Sequence, residues 1–299
     1  MRLIRRIARH WADYLYVAPA LGVMALVIAY PVYFTAYLSF FSTPPNLSLD
    51  EKSFVGLGNY ARVLGAESVH EATLNTLAWT ACSTLFAFVL GFGAALALNR
   101  AFRGRGLLRG LLLVPYVISA VAASYIWRWL YHSDVGVIGA AALATRLAGH
   151  KLNFLDNTQT VLASLIVVNV WKEFPFAMVM LLAGLQTVPD GLLRAARVDG
   201  AGAWGAFWHV TLPHLRHVSL VTVLLLMVTN LNSFTIPWVM TGGGPAGASE
   251  LWITQIYQLA FGRVRFGLAS AYSVLVFVAM MALGVLYVRA LSRGGRAGG

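Results

Sequence analysis

The chain has 299 residues, 59% of them hydrophobic and 11% charged, with a mean hydropathy of +0.72 and a formal net charge of +11. A soluble domain is nearer half apolar and a quarter charged, so this composition excludes a soluble enzyme and describes an integral membrane protein. The basic excess sits at the ends of apolar runs, which assigns it to membrane topology and leaves no nucleic-acid partner to expect.

About 20 apolar residues cross a bilayer core. On that measure the chain predicts an all-α membrane protein of six helices, at about 14–41, 72–99, 107–131, 158–184, 217–241 and 266–291, in a single domain over 1–299. Arg2–Arg9 followed by an apolar run has the look of a signal peptide. The run continues past Pro31 to Phe41 without a clear small-residue cleavage site, so an uncleaved first helix is expected. Helix 2 carries Gly91, Gly93, Ala94, Ala95 and Ala97, small residues that let helices approach closely. The single cysteine, Cys82, lies in the same span and reads as a packing residue.

The basic residues set an orientation. If both termini and the loops at 100–109 and 185–216 share one side, that side holds 14 of the 22 Lys and Arg against three acids, Asp13, Asp190 and Asp199. The other side balances seven bases with seven acids. The positive-inside rule then places the termini and the 185–216 loop in the cytoplasm.

A search for chemistry finds no Gly-x-x-x-x-Gly-Lys-Ser/Thr loop and no His-Glu-x-x-His pair. His209, His214 and His217 cluster without Cys or carboxylate company and read as surface residues. No catalytic residue, metal or cofactor is expected on this chain.

Two features ask for explanation instead. The first is the loop 185–216. Pro189 and Asp190 suit a helix start, Leu192 to Ala196 are good helix formers, and Gly200 and Gly202 provide a stop. A short helix Asp190–Val198 would present Ala195 and Ala196 between Arg194 and Arg197, and Trp204–Val210 would lie at the interface before Pro213 opens the next span. The second is the fourth span, interrupted by Lys172-Glu173. Charges at membrane depth face a protein interior or a polar path. Pro175 is expected to kink or unwind that helix, and Trp171, Phe174 and Phe176 offer aromatic faces of the kind sugars stack on. With Asn230, Asn232, Ser233, Phe234 and Thr235 of the fifth span, Trp171, Lys172, Glu173 and Phe176 form a candidate translocation path. For any one of these residues, interhelical bonding is an equal alternative.

The loop Arg194-Ala195-Ala196-Arg197-Val198-Asp199-Gly200, nine residues and then Val210-Thr211-Leu212-Pro213 resembles the EAA signature of permease subunits of binding-protein-dependent ABC importers. Ala195, Ala196, Gly200, Leu212 and Pro213 match at the signature spacing, with Val210 for its Ile. Phe54–Tyr60, Ala183–Pro189 and Thr241–Pro245 are similar to the carbohydrate branch, in the subgroup of the larger maltose permease and the first glycerol-3-phosphate permease. The resemblance implies a type I importer permease fold with a cytoplasmic coupling helix, in which Arg194, Ala195, Ala196, Arg197, Asp199, Gly200, Leu212 and Pro213 dock an ATPase. It also implies the partners: a second permease in a heterodimer, two ABC ATPase subunits that bind ATP and Mg, and a periplasmic or lipid-anchored substrate-binding protein. The location implied is the bacterial cytoplasmic membrane. The signature glutamate is Arg194 here. A glycerol-3-phosphate or polyol permease stays open as an alternative. An ATP-independent secondary transporter would show inverted repeats and embedded acids, and only Glu173 qualifies.

Overall fold

The computed structural model describes residues 11–43, 52–144 and 153–296. The basic N-terminal stretch Arg2–Arg9 lies outside them. Among the described residues, five helices are long and apolar enough to cross a membrane, or six if one sharply bent pair counts as a single span. The chain falls into two compact units, residues 1–66 with 256–279, and residues 67–255 with 280–299.

The first unit opens with α1 (Trp11–Met24), a π-turn (Ala25–Ala29) and α2 (Tyr30–Leu38). The most apolar 18-residue window within Tyr16–Leu38 has no buried residue, and only at the end of the span is Leu38 buried. The span ends where β1 (Phe41–Ser42) pairs antiparallel with β2 (Ser53–Phe54), Phe41 opposite Phe54. This hairpin stops the helix at Leu38, three residues short of the expected end. α3 (Gly58–Leu64) follows, and its buried Asn59 gives both amide hydrogens to the carbonyls of Ser39 and Phe41, at 2.9 and 2.8 Å. The last helix, α14 (Phe266–Arg296), starts against the same strand. A Cβ on Gly267 would fall 1.9 Å from the Phe41 carbonyl oxygen, so only glycine fits there.

The second unit is built on α4 (Glu67–Asn99) and α8 (Val161–Leu185). Ser83, Ala87, Gly91 and Ala95 recur every fourth residue of α4 and are all buried. A Cβ on Gly91 would meet Ala177 Cβ at 2.6 Å, the Phe174 carbonyl oxygen at 2.7 Å and the Met178 nitrogen at 2.8 Å. The two helices therefore touch through backbone, as small residues four apart allow. Gly93 and Ala97 face outward, so only part of the small-residue run serves this contact.

The third expected span is not one helix. It is α5 (Arg105–Val117) and α6 (Ala120–Leu130), bent by 95°. Ile118 and Ser119 are extended, at φ/ψ of −63/135° and −54/138°. Conversely, α8 runs unbroken through Pro175, where a kink or unwinding was expected. After α7 (Val137–Ala144) and α9 (Asp190–Val198), α10 (Ala203–Ala206) continues through a π-turn (Phe207–Thr211) into α11 (Leu212–Leu231). Pro213 thus does not begin a new helix. The π-turn, closed by the Leu212 N–H on the Phe207 carbonyl, absorbs the missing donor one residue before the proline. The break comes later, at Asn232–Phe234, ahead of α12 (Thr235–Thr241). The remaining helix is α13 (Trp252–Tyr257), with a π-turn at Gln258–Gly262.

Candidate functional site

The helix expected in the 185–216 loop is present over Asp190–Val198. Pro189 enters it in an extended conformation, and the Leu192 N–H closes the first turn on the Pro189 carbonyl at 3.0 Å. At the far end Gly200 has φ +83°. Its N–H bonds the Arg197 carbonyl at 3.1 Å, while the Ala201 N–H reaches the Ala196 carbonyl at 2.8 Å. These two bonds and the left-handed glycine form a Schellman stop. Space is not the constraint at Gly200, since a Cβ there would meet nothing within 4 Å.

The faces of α9 are divided. Leu193 and Ala196 are half-buried, whereas Arg194, Ala195, Arg197 and Asp199 are exposed and Val198 is 87% exposed. The outward stripe is therefore Gly191, Arg194, Ala195 and Val198, and Ala196 belongs to the inner side. Beneath the helix lies a cavity of about 510 Å3 lined by Leu185, Val188, Leu193, Arg197, Trp204 and Phe207, with Arg100 at the end of α4. Phe207 packs on Phe92 at 5.8 Å between ring centres. Leu212 is half-buried and Pro213 exposed in the rising helix. Gly184 lets that helix close in, because a Cβ there would meet Leu215 Cδ2 at 2.9 Å. An amphipathic helix with a sharp stop, packed on α10 and on the π-turn that leads into α11, can pass a push into that span.

The candidate path residues separate into groups. Asn230 is 1% exposed. Its Oδ1 accepts from Asn169 Nδ2 at 2.7 Å, its Nδ2 donates to Thr84 Oγ1 at 3.1 Å, and its carbonyl accepts from Trp79 Nε1 at 3.2 Å. This is a buried knot joining α4, α8 and α11. Asn169 and Trp79 were not legible as parts of it. Asn232 is exposed and bonds back to the Val228 carbonyl at 2.8 Å, ending α11.

On another face of α8, Lys172 Nζ donates to the carbonyls of Ile118 at 2.8 Å and Tyr116 at 3.4 Å. Trp171 meets Trp127 edge-on at 5.5 Å, and Phe176 stacks on Tyr116 at 6.1 Å. Trp171, Lys172 and Phe176 thus hold the bent pair α5–α6. Glu173 is half-buried beside them. Phe174 packs into the α4–α8 core, and Phe234 stacks on Trp238 at 5.6 Å.

Trp238 also lines a recess of about 590 Å3, at the end of α8 away from α9. Arg128, His132, Asn153 and Asp156 line it, together with residues of the Thr241–Pro245 turn. The Asp134 N–H donates to His132 Nδ1 at 3.2 Å. Ser249 fixes the turn by donating to the Gly244 carbonyl at 2.6 Å and pairing with Thr241 Oγ1 at 2.8 Å. Of this recess, only the Thr241–Pro245 motif stood out in the sequence. Among the described residues no group of three His, Cys, Asp or Glu could hold a metal ion.

Comparison with known proteins meets this geometry. Residues 87–294 match the family model described as "Binding-protein-dependent transport system inner membrane component". The chain is 34% identical over 279 residues to the trehalose/maltose transport system permease protein MalF of Thermococcus litoralis, covering 92% of each chain. It is 33% identical to the sulfoquinovosyl glycerol transport system permease protein SmoG of Agrobacterium fabrum, over 92% of this chain and 88% of the relative. It is also 34% identical to the trehalose transport system permease protein SugA of Mycobacterium tuberculosis, over 95% and 90%. In fold it is similar to a chain of a bacterial ABC transporter involved in the import of the acidic polysaccharide alginate. That match has a TM-score of 0.81 and 22% identity, covering 98% of this chain and 99% of that one. An apolar bundle, a helical loop ending in a glycine stop, and homology over most of the length converge: this chain belongs to the family of inner-membrane components of binding-protein-dependent transport systems.

Proposed function

We propose that the chain is one transmembrane subunit of an ATP-driven importer that moves a carbohydrate across the bacterial cytoplasmic membrane. In this reading both termini and α9 face the cytoplasm. A second permease pairs with it as a heterodimer and, with lipid, covers the exposed first span. Two ABC ATPase subunits bind ATP and Mg, and a periplasmic or lipid-anchored protein delivers substrate. The chain hydrolyses nothing itself. Closure of the ATPases moves α9, and α9 moves α10 and the π-turn against which it packs, and through them α11. The carbohydrate class is supported by the names of the relatives at 33–34% identity, which transport trehalose, maltose or sulfoquinovosyl glycerol. It is supported also by the outer recess, where an indole, an imidazole, a guanidinium and two carboxyl or amide side chains surround a space suited to a small ligand.

The observation that carries the coupling role is the exposed stripe of α9, small at Gly191 and Ala195 and apolar at Val198. A helix that faces water with such a stripe fits a groove. Arg194 stands where the family signature has glutamate, so an acidic residue is expected on the facing ATPase. The test is cysteine crosslinking in the assembled complex: Val198→Cys and Ala195→Cys should join an ATPase subunit, and the inner Ala196→Cys should join it less. Absence of crosslinks from all three would overturn the docking role.

A further inference from the structure

The first unit holds a basic pocket that transport does not explain. Arg62 of α3 and Arg263 and Arg265, just before α14, line a space of about 430 Å3 with Ser42, Thr43, Asn59 and Leu268. None of the described residues lining it is acidic. Three guanidiniums sharing one concavity repel one another unless an anion joins them.

The pocket is built rather than incidental. Asn59 ties α3 to β1 through two buried hydrogen bonds. The Gly267 N–H donates to Thr43 Oγ1 at 3.1 Å, fixing the start of α14 against the same strand. Between the two arginines Val264 adopts φ +53°. A β-branched residue avoids that conformation, and strain of this kind clusters at sites where the surrounding structure has a use for it. Here the reversal at Val264 brings Arg263 and Arg265 to one pocket.

Its surroundings identify the anion. The pocket lies where one apolar span ends at Leu38 and another begins at Phe266, which is the boundary of the hydrocarbon layer. Large apolar side chains on or next to the elements that carry the pocket are bare: Phe54 is 71% exposed, Leu57 68%, Leu64 58% and Phe261 66%. Lys52 adds a further cation, over the rings of Tyr37 and Phe41 at 5.2 and 5.7 Å. Aromatic residues mixed with bases mark the headgroup level, and a guanidinium fork matches phosphate oxygens in pairs. A water-soluble acidic partner would meet a polar rim instead.

We infer that Arg62, Arg263 and Arg265 hold the phosphate of an anionic phospholipid, with Phe54, Leu57, Leu64 and Phe261 set among its acyl chains.

The experiment uses the full-length chain in mild detergent, read by native mass spectrometry with phosphatidylglycerol, phosphatidylcholine or inorganic phosphate as the probe. A photoactivatable phosphatidylglycerol headgroup maps the site. Phosphatidylglycerol should be retained preferentially and crosslink to peptides containing residues 58–64 and 262–268. Each Arg→Gln change should lower its retention about fivefold, on the scale of one basic residue at an anionic surface. Val264→Gly accepts the same backbone conformation and should retain the lipid. If Arg263→Gln with Arg265→Gln fails to fold, Arg62→Gln alone, on the exposed side of α3, gives the same reading. The inference falls if the arginine variants keep the lipid and its crosslinks, or if phosphatidylcholine binds equally well. It falls too if inorganic phosphate occupies the site and the lipid does not. Loss of binding-protein capture with lipid retention unchanged would make the occupant an acidic protein and overturn it as well.

Discussion

The Lys172 ammonium reaches 54 residues back along the chain to hold the Ile118 carbonyl at 2.8 Å. That oxygen is one of the acceptors a helix leaves unpaired at its C-terminus, and a cation is the favoured partner there. A charge that looked like part of a translocation path thus caps the first half of a bent span, and can do so from inside the membrane because the backbone supplies its partners.

Replacing Lys172 by methionine should lower stability by about 2 kcal/mol, the usual loss for a hydrogen bond to a charged group. Thermal unfolding in detergent measures it. Lys172→Arg should retain most of the stability. If the methionine variant melts with the wild type but fails to transport, Lys172 acts on substrate and not on the bend.

Asn230→Leu should reduce the yield of folded protein, because it strips Asn169 and Thr84 of buried partners at a loss of roughly 1–3 kcal/mol. Asn169→Leu in the same chain should restore part of that loss, since removing both partners is milder than orphaning one. A double-mutant cycle on unfolding free energy reads the coupling. Asn232→Ala, at an exposed helix end, should change yield little.

Gly91→Ala should prevent assembly, as its methyl would strike backbone atoms of α8 at 2.7 and 2.8 Å. Gly93→Ala should be silent, since nothing lies within 4 Å of that position. Protein yield after size-exclusion chromatography separates the two. Equal yields would mean that α4 and α8 do not cross at Gly91.

Gly200→Val should abolish uptake while leaving the membrane spans folded, because a β-branched residue resists φ +83° and the stop of α9 is lost. Gly200→Asn should keep partial function, asparagine being the residue that best tolerates that conformation after glycine. Gly202, at φ −68°, should accept alanine. Uptake assays beside circular dichroism decide it. Arg194→Glu, at an exposed contact, should shift uptake only slightly and in a salt-dependent way.

The spans and α9 were legible for one reason: each is written locally. Apolar length marks a span, and Pro189, the leucines and Gly200 mark the short helix within a dozen residues. The bend at Ile118–Ser119 was not legible, because no glycine or charge lies between Leu111 and Trp127, Pro115 sits inside α5 before the bend, and the cap, Lys172, is remote in sequence. Pro175 misled in the opposite direction. It is buried in the contact of α8 with its neighbours, and packing holds the helix straight where the local rule predicts a break. The buried knot at Asn230 needed Asn169, a single polar residue in an apolar run, whose partner only the fold reveals.

Gly91 has a mechanical meaning. Where two helices meet through side chains, rotamers can yield and one rod can roll on the other. Backbone against backbone leaves no such slack, so α4 and α8 form a single stiff beam. α9 hangs close to one end of that beam and the recess around Trp238 opens near the other. Any displacement of one end would then tilt the two helices together rather than slide one along the other.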